Sequence, residues 1–285
     1  LALLPESQQA LTSAVDFHLR LWDLEQGICL RSWDARGPFY DLLVGPSADW
    51  ALLGAVGGVV MWDLEAWYFL HTFPSYEGGI HSLVYVPERD LILAGSENSL
   101  IYRWKRAECE KLPPLTEHDY DVTALVVLDQ GQTLVSGDML GSLRVWDLET
   151  GSCIHSWRGH NQTITGLVAW NDSPAYVSAS RDGTLRFWDM QTGECVRVLE
   201  ANSRSIEALV VDMSRQQLIA GNASGAHSWS LTTFEHLWSI EEPDIVDLSV
   251  DGHQLVTLGC RSGLSVWHLP SEQADHDRPI NVISV

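Results

Sequence analysis

Apolar and polar residues alternate in short runs along the chain, and turn-forming residues separate the runs. In residues 164–199 the runs ITGLVAW, YVSAS, TLRFWD and CVRVL follow one another, with Gly, Asn, Asp and Ser between them. A two-residue period over four to eight positions is typical of half-buried β-strands, and no segment keeps a useful length of the 3.6-residue helical period. The pattern therefore predicts an all-β protein built from four-strand units.

A tryptophan ends the third run of each unit and returns at a nearly constant spacing. The seven tryptophans are Trp22, Trp62, Trp104, Trp146, Trp188, Trp229 and Trp267, at intervals of 40, 42, 42, 42, 41 and 38 residues. A single four-strand unit cannot bury both of its faces, so the units must cover one another in a radial array. We predict one domain over residues 1–285, folded as a seven-bladed β-propeller of four-stranded antiparallel blades.

The units resemble the WD40 repeat family over essentially the whole chain. RGH at 158–160 and WD at 188–189 match the Gly-His and Trp-Asp pairs of that family. The resemblance implies a buried hydrogen-bonded tetrad in each unit, formed by a His, a Ser or Thr, an Asp and the Trp. In the fifth unit these positions are held by His160, Ser178 (or Ser180), Asp182 and Trp188. Such a network adds specificity only where all members are satisfied.

Most units depart from the family pattern. The fourth unit has His118, Ser136 and Trp146, but Leu140 stands six residues before the tryptophan, where the family has Asp. By this register Asp138 is expected to lie outside the tetrad. We therefore predict one complete tetrad, in the fifth unit, and expect apolar packing to hold the other units together.

The charge of the chain narrows the choice of partners. There are 38 Asp and Glu residues against 17 Lys and Arg, a net charge of −21. Binding to phosphates needs clustered cations, so we expect neither nucleic acid nor an anionic membrane as a partner, but proteins or peptides. No apolar run reaches the length of a membrane span, and we expect no signal peptide, because no charged segment followed by an apolar stretch is visible. Because the chain does not begin with Met, we expect an excerpt of a longer protein, acting as a monomeric domain within it or within a complex.

The cysteines indicate the cellular compartment. Cys29, Cys153 and Cys195 each lie seven residues after a tryptophan, and equivalent positions in separate blades are too far apart for a disulfide. No Cys-x-x-Cys pair occurs, so structural zinc is not expected. This favours a reducing compartment, the cytoplasm or the nucleus. Two triplets, at Asn161 and Asn222, match the glycosylation pattern, which matters only in a secreted protein.

Motifs for catalysis are missing from the sequence. It contains no Gly-x-Ser-x-Gly, no His-Glu-x-x-His and no phosphate-binding loop. Ser, His and Asp are plentiful, but propeller turns use them to cap the backbone. We therefore predict no enzyme activity, no cofactor and no metal. The alternative is a propeller hydrolase with a metal in its channel, for which His253 or the pair Asp119 and Asp121 could supply ligands.

One face of the propeller is the expected partner site. In this family the loops before the first strands and the turns between second and third strands open on the same side. That side would carry Phe17, Phe39, Tyr40, Tyr76, Tyr120 and Met139 in the first four units, and Arg181, Arg204 and Arg261 in the last three. Aromatic residues and arginine supply much of the energy at interfaces. We expect the aromatic residues to hold apolar side chains and the arginines acidic or phosphorylated groups, unless the rings pack on neighbouring blades instead.

These observations favour a non-catalytic scaffold that presents loops to protein or peptide partners. Two more specific alternatives stay open: the substrate-recognition module of an F-box-type ubiquitin ligase subunit, and the sensor domain of a NACHT-type ATPase. At the end of the chain, HDRPINVISV (276–285) can be laid over HDYDVTALVV (118–127), which opens the fourth unit. We expect this segment to pair with the first or the seventh unit and close the ring, because an open ring exposes unpaired strand edges.

Overall fold

The computed structural model describes residues 1–285 except 5–6, 14–16, 35–36, 171–174, 202–204, 252–253, 261, 270–279 and 285, and except the side chains of 76–77 and 280–284. Within this part of the chain the regular structure is β-strand, apart from two 3-10 turns, η1 (Pro87–Arg89) and η2 (Asp129–Gly131). The prediction of an all-β protein is confirmed.

The strands form six antiparallel sheets in which sequence neighbours lie side by side. The first contains β1 (Ala2–Leu4), β2 (Gln9–Ser13), β3 (His18–Asp23) and β4 (Ile28–Asp34). The second contains β5 (Phe39–Val44), β6 (Trp50–Asp63), β7 (Tyr68–Val86), β8 (Leu91–Ser96), β9 (Ile101–Lys105) and β10 (Glu110–Leu115). The third contains β11 (Val122–Leu128), β12 (Thr133–Asp138), β13 (Ser142–Asp147) and β14 (Cys153–Arg158).

The last three sheets have four strands each. The fourth contains β15 (Ile164–Ala169), β16 (Ala175–Ser180), β17 (Thr184–Asp189) and β18 (Cys195–Glu200). The fifth contains β19 (Ile206–Asp212), β20 (Gln217–Asn222), β21 (Gly225–Ser230) and β22 (His236–Glu241). The sixth contains β23 (Ile245–Asp251), β24 (Gln254–Gly259), β25 (Gly263–His268) and β26 (Ile280–Ser284).

The second sheet holds two of the predicted repeats, joined through its two long strands. β6 pairs with β5 over residues 51–55 and with β7 over residues 56–63, and β7 then pairs with β8 over residues 80–86. Gly58 lies where β6 passes from one partner to the other, with φ at +146°, and a Cβ there would come within 2.2 Å of the Phe73 carbonyl oxygen. Only glycine fits such a position. Four-strand repeats thus account for the six-stranded sheet as well.

The chain falls into two compact units. Residues 1–22 and 29–164 form the first unit, and residues 23–28 and 165–285 form the second. The first unit contains the tryptophans of the first four repeats, and the second unit contains those of the last three. That residues 1–285 act as one domain stays a prediction.

The second strand of a repeat is the most deeply buried. Every residue of β8, β12 and β16 is buried, since such a strand is paired on both edges and covered on both faces. In the first unit, Leu93 of β8 belongs to the same apolar cluster as Leu134 and Trp146 of the next sheet. The predicted dominance of apolar packing is visible in clusters of this kind.

Glycine in the second strand lets the next repeat approach closely. A Cβ on Gly95 would lie 2.8 Å from the Val122 carbonyl oxygen, and one on Gly137 would lie 2.6 Å from Ile164 Cγ2. In the second unit, Gly221 stands in the same relation to Ile245, at 2.6 Å from its Cγ2. The first residue of one inner strand therefore fills the space that a side chain on the preceding sheet would occupy.

The C-terminal strand completes the seventh repeat. β26 pairs with β25, with Val266 opposite Ile283 and Trp267 opposite Asn281. This segment is therefore the fourth strand of its repeat. The overlay of residues 276–285 on residues 118–127 suggested the inner strand of a further repeat, and this interpretation is wrong. The expected pairing with the seventh repeat is observed.

Candidate functional site

The tryptophan that marks each repeat donates its indole N–H to a hydroxyl ten residues earlier in four of the seven repeats. These bonds are Trp22 Nε1 to Thr12 Oγ1 (2.8 Å), Trp146 to Ser136 (2.8 Å), Trp188 to Ser178 (2.8 Å) and Trp267 to Thr257 (3.1 Å). The donor comes from the third strand and the acceptor from the second, so each bond crosses the middle of its sheet.

The fourth repeat contains a complete tetrad. His118 Nε2 lies 2.6 Å from Ser136 Oγ, and its Nδ1 lies 3.1 Å from Asp138 Oδ2. The backbone N–H groups of Leu140 and Ser142 donate to Asp138 Oδ1 at 3.0 and 2.9 Å. The expectation that Asp138 lies outside the tetrad is wrong, because its carboxylate reaches the histidine from two residues earlier in the turn.

The environment of Asp138 stabilises its charged form. The residue is only 1% exposed, and burial alone would raise its pKa. The hydrogen bonds from His118 and from the backbone N–H of Ser142 and Leu140 outweigh that effect, so the pKa lies below its ordinary value. Asp138 is therefore a charged group buried with its partners.

In the fifth repeat, three of the predicted tetrad residues lie in the second unit and one in the first. Besides the bond from Trp188 to Ser178, Asp182 Oδ1 accepts from the backbone N–H (3.0 Å) and the hydroxyl (2.6 Å) of Thr184. His160 is buried and belongs to the first unit. That these four residues form one hydrogen-bonded set stays a prediction.

The seventh repeat uses a residue that sequence reasoning missed. The hydroxyl of Thr257, which accepts from Trp267, donates to Glu242 Oε2 at 2.5 Å. Glu242 is 4% exposed and precedes the inner strand β23, as His118 precedes β11. A carboxylate thus takes the place of the imidazole. The available signal was an acidic residue in the loop before an inner strand.

The Asp of each Trp-Asp pair caps the tight turn that follows it. Its Oδ1 accepts from the backbone N–H groups two and three residues later in all four pairs, at Asp23, Asp63, Asp147 and Asp189. Ser230 does the same through its hydroxyl in the sixth repeat. A tight turn thus follows each of these tryptophans, and a short polar side chain fixes the turn.

The predicted partner residues of the first unit lie where inner strands begin. Phe39 pairs with Ala55, at the far end of the second strand of its repeat, so Tyr40 lies close to the turn between second and third strands. The Tyr40 ring is 44% exposed and lies 4.9 Å from the ring of His81, the equivalent residue of the next inner strand. Glu97 binds His81 Nε2 at 3.1 Å.

The same edge of the fourth repeat carries exposed apolar side chains. Tyr120 is 45% exposed in the loop before β11, and Met139 and Leu140 are exposed in the turn that follows β12. The Met139 N–H donates to the Asp121 carbonyl at 3.0 Å, which joins loop and turn. Phe17 is exposed in the corresponding turn of the first repeat. Phe39 is buried, which agrees with the alternative that some of the predicted rings pack inside the fold.

Of the three arginines predicted to bind a partner, the structure describes Arg181. Arg181 forms an ion pair with Glu207, with 3.1 Å between Nη2 and Oε2. Arg204 and Arg261 lie outside the described residues, as does the side chain of Tyr76.

The described residues lack two arrangements. They contain no group of three or more His, Cys, Asp and Glu placed to hold a metal ion, and among them no helix is long and apolar enough to cross a membrane. His253 lies outside the described part of the chain. The cysteines are free thiols. Asn222 is buried and binds Ser224 through Oδ1, so its amide is not accessible for glycosylation.

The comparison with protein families agrees with this geometry. Residues 67–105, 109–147 and 151–189 match the WD40 family model, described as WD domain, G-beta repeat. Three segments of the chain thus match the WD40 repeat. Each matched segment starts at an outer strand and ends one residue after a tryptophan, so a WD40 repeat here supplies the fourth strand of one four-strand repeat and three strands of the next.

Similar proteins match the chain over part of their length. Transducin beta-like protein 3 of Bos taurus is 26% identical over 153 residues, which cover 52% of this chain and 19% of that protein. Zinc finger CCCH domain-containing protein 59 of Arabidopsis thaliana is 29% identical over 158 residues, covering 53% of this chain and 32% of that protein. Pre-mRNA-processing factor 17 of Homo sapiens is 26% identical over 101 residues, covering 34% and 17%. The chain thus spans less than a third of the length of each.

Proposed function

We propose that this WD40 chain is a non-catalytic scaffold that binds a protein partner through the strand-end surface of its first unit. The strand-end surface is formed by Phe17, Tyr40, His81, Tyr120, Met139 and Leu140. The observation that carries the proposal is the exposure of Tyr120 and Met139 outside the strands, where turns prefer small polar residues, and of Tyr40 at the start of β5. Exposed apolar groups at the same ends of several repeats support a binding surface.

Charges around the surface define the chemistry of the partner. Glu97 lies beside His81. Glu117 and Asp119, close to Tyr120 in the sequence, are exposed and share one cation, Arg144, at 3.7 and 3.8 Å, so two carboxylates there face a single positive charge. Together with the net charge of −21, these carboxylates favour a segment in which apolar side chains alternate with Lys or Arg. Arg181 has its charge matched by Glu207, so an acidic or phosphorylated segment would have to displace that carboxylate.

The proposal is tested with a partner recovered from a nuclease-treated extract, so that RNA bridging is excluded. Replacement of Tyr40 and Tyr120 by Ala should weaken binding by at least about thirty-fold, because even one central aromatic residue contributes about 2 kcal/mol or more. Tyr68 and Phe69 on β7 are exposed to a similar degree outside this surface, so their replacement by Ala is the matched control and should leave binding intact. Equal losses in both double variants would contradict the proposal.

The charge preference has its own experiment. Binding through Glu117 and Asp119 should weaken as NaCl is raised, and Glu117→Gln with Asp119→Asn should remove that dependence. Arg181→Ala reports on the alternative, in which the partner carries acidic or phosphorylated groups. A salt-dependent loss with Arg181→Ala, and none with the carboxylate variants, would reverse the assigned partner charge.

The compartment is part of the same proposal. Five free thiols support a reducing environment, the cytoplasm or the nucleus. Fractionation of cells that express the full protein tests it, and enrichment in secretory compartments would contradict it.

A further inference from the structure

Two histidines of the fifth sheet direct a ring nitrogen toward the same serine hydroxyl. His227 on β21 lies opposite Ser239 on β22, and the register shifts after Ser228 so that Trp229 lies opposite His236. His227 Nδ1 is 2.9 Å from Ser239 Oγ, and His236 Nε2 is 2.8 Å from the same atom. The two imidazole rings are 6.2 Å apart between centroids. Both rings thus converge on one point.

The neighbours of His227 decide which of its nitrogens carries the proton. Ser224 Oγ donates to Asn222 Oδ1 at 2.6 Å, so its only hydrogen is used there. His227 Nε2 lies 3.4 Å from this oxygen and must be the donor in that contact. The lone pair of the neutral ring is therefore on Nδ1 and faces Ser239. Metal-binding histidines usually have their second ring nitrogen fixed by such an outer hydrogen bond.

The surroundings favour the uncharged rings. His227 is 6% exposed; burial lowers its pKa, and the nearby His236 lowers it further. Burial also lowers the pKa of His236. The Trp229 indole packs against both rings, with centroids 6.1 and 5.9 Å away.

We propose that His227 Nδ1 and His236 Nε2 form a binding site for a first-row divalent metal ion of the Zn²⁺ or Cu²⁺ class. Imidazole nitrogen is a preferred ligand of these ions, at about 2.0–2.1 Å. The buried His227 provides a fixed ligand, and the exposed His236 can rotate to close on the ion and gives it access from solvent. Ser239 or water fills the remaining positions.

The proposal is tested on the tag-free protein with ZnCl₂ and CuCl₂ as probes. Isothermal titration calorimetry should show saturable binding of one ion per chain at this site, with Cu²⁺ bound more tightly than Zn²⁺. His236→Gln should abolish that binding and leave the melting temperature of the metal-free protein unchanged. His155→Gln, which replaces an exposed histidine on β14, is the matched control and should bind as the wild type does.

Two further measurements separate a built site from general surface binding. Ser224→Ala removes the acceptor for Nε2 and should weaken binding by about ten-fold. The paramagnetic resonance spectrum of the Cu²⁺ complex should show coupling to two imidazole nitrogens in the wild type, a signal that His236→Gln should not give. Absence of saturable binding, or equal binding by wild type and His236→Gln, would overturn the proposal.

Discussion

At the residue scale, the amino acid ten positions before a tryptophan decides whether the indole N–H has a partner. Thr12, Ser136, Ser178 and Thr257 supply a hydroxyl and accept the bond. Leu52 and Ala94 stand at this position in the second and third repeats, and there the buried Nε1 atoms of Trp62 and Trp104 have no hydrogen-bond partner among the described residues. One side chain thus determines whether the buried indole N–H of a repeat is hydrogen-bonded.

Asp138 should contribute more to stability than Asp182. Asp138→Ala leaves His118 Nδ1 and two backbone N–H groups without an acceptor inside the fold, which should cost about 2–3 kcal/mol. Asp182 is only partly buried, so water can reach more of the groups that Asp182→Ala leaves without their acceptor, and the loss should be about 1 kcal/mol. Thermal and urea denaturation of both variants measure the difference. A larger loss of stability with Asp182→Ala would support the assignment from the sequence, in which the tetrad Asp lies six residues before the tryptophan.

The tetrad was predictable in kind but not in position. The resemblance to WD40 repeats indicated the hydroxyl and the tryptophan of the fourth and fifth repeats, with Ser180 left open beside Ser178. Strand pairing brings together the two residues that lie ten positions apart. The acid was misplaced in the fourth repeat because its turn accepts a carboxylate at Asp138 or, as in the fifth repeat, four residues after the serine at Asp182. Both positions receive backbone N–H groups, so spacing does not reveal which of them faces the histidine.

At the element scale, the turn after the tryptophan contains a residue with positive φ, which is glycine in three repeats and a tryptophan in another. Gly27, Gly151 and Gly193 occupy the position of positive φ, four residues after the capping Asp, as the turn chemistry predicts. Trp67 takes the same conformation with φ at +59° and stacks on Trp33, with 4.2 Å between ring centroids. Tertiary stacking offsets the backbone strain there, and a local pattern cannot show that.

A serine in place of Ala94 should stabilise the third repeat. Ala94 is fully buried ten residues before Trp104, so Ala94→Ser places a hydroxyl within reach of the unpartnered Nε1 and should add about 1 kcal/mol to the free energy of unfolding. Ala179→Ser is the control, because Ala179 is equally buried but Trp188 already donates to Ser178. This change should destabilise by about 1 kcal/mol or more. Chemical denaturation compares the two, and a loss in both would mean that the new hydroxyl does not reach the indole.

The turn around η1 should make a pH-dependent contribution to the free energy of unfolding. Asp90 accepts from Tyr85 Oη (2.6 Å), Arg106 Nε (2.8 Å) and the Ala107 N–H (2.7 Å). Burial would raise its pKa, but these bonds and the charge of Arg106 lower it overall. Because the folded pKa is depressed, the stabilisation is present above the ordinary value of about 4 and is lost as pH falls through the folded pKa.

Asp90→Asn should therefore destabilise the protein by about 1 kcal/mol at pH 7 and by progressively less below pH 4. Tyr85→Phe removes one donor to the carboxylate and keeps the charge, so its acid limb should lie between those of the wild type and the Asn variant. Urea denaturation at pH 7, 5 and 3.5 provides the comparison. A constant difference across this range would show that the charge of Asp90 is not the source of the stabilisation.

At the scale of the whole molecule, the four-strand repeats and all-β class followed from the sequence, but several strand partners did not. The two-residue period and the tryptophan spacing fix where strands form. They do not show that β6 and β7 continue from one partner to the next, nor that β26 pairs with β25 rather than opening another repeat. Which edge a strand joins depends on contacts far apart in sequence, and alternation of apolar residues is the same for inner and outer strands.

The net charge of −21 should make stability of the whole chain depend on salt. Like charges at the surface repel one another in the compact state, and about 0.1 M salt screens them beyond roughly 10 Å. The melting temperature at pH 7.4 should therefore rise when NaCl is increased from low to moderate concentration. A triple variant, Glu25→Gln, Glu65→Gln and Glu108→Gln, removes three exposed negative charges. It should melt at a higher temperature in low salt and respond less to NaCl. If the wild type melts at the same or a lower temperature as NaCl is added, ion pairs such as Arg89 with Glu149 outweigh the repulsion. The acidic surface would then not destabilise the folded protein.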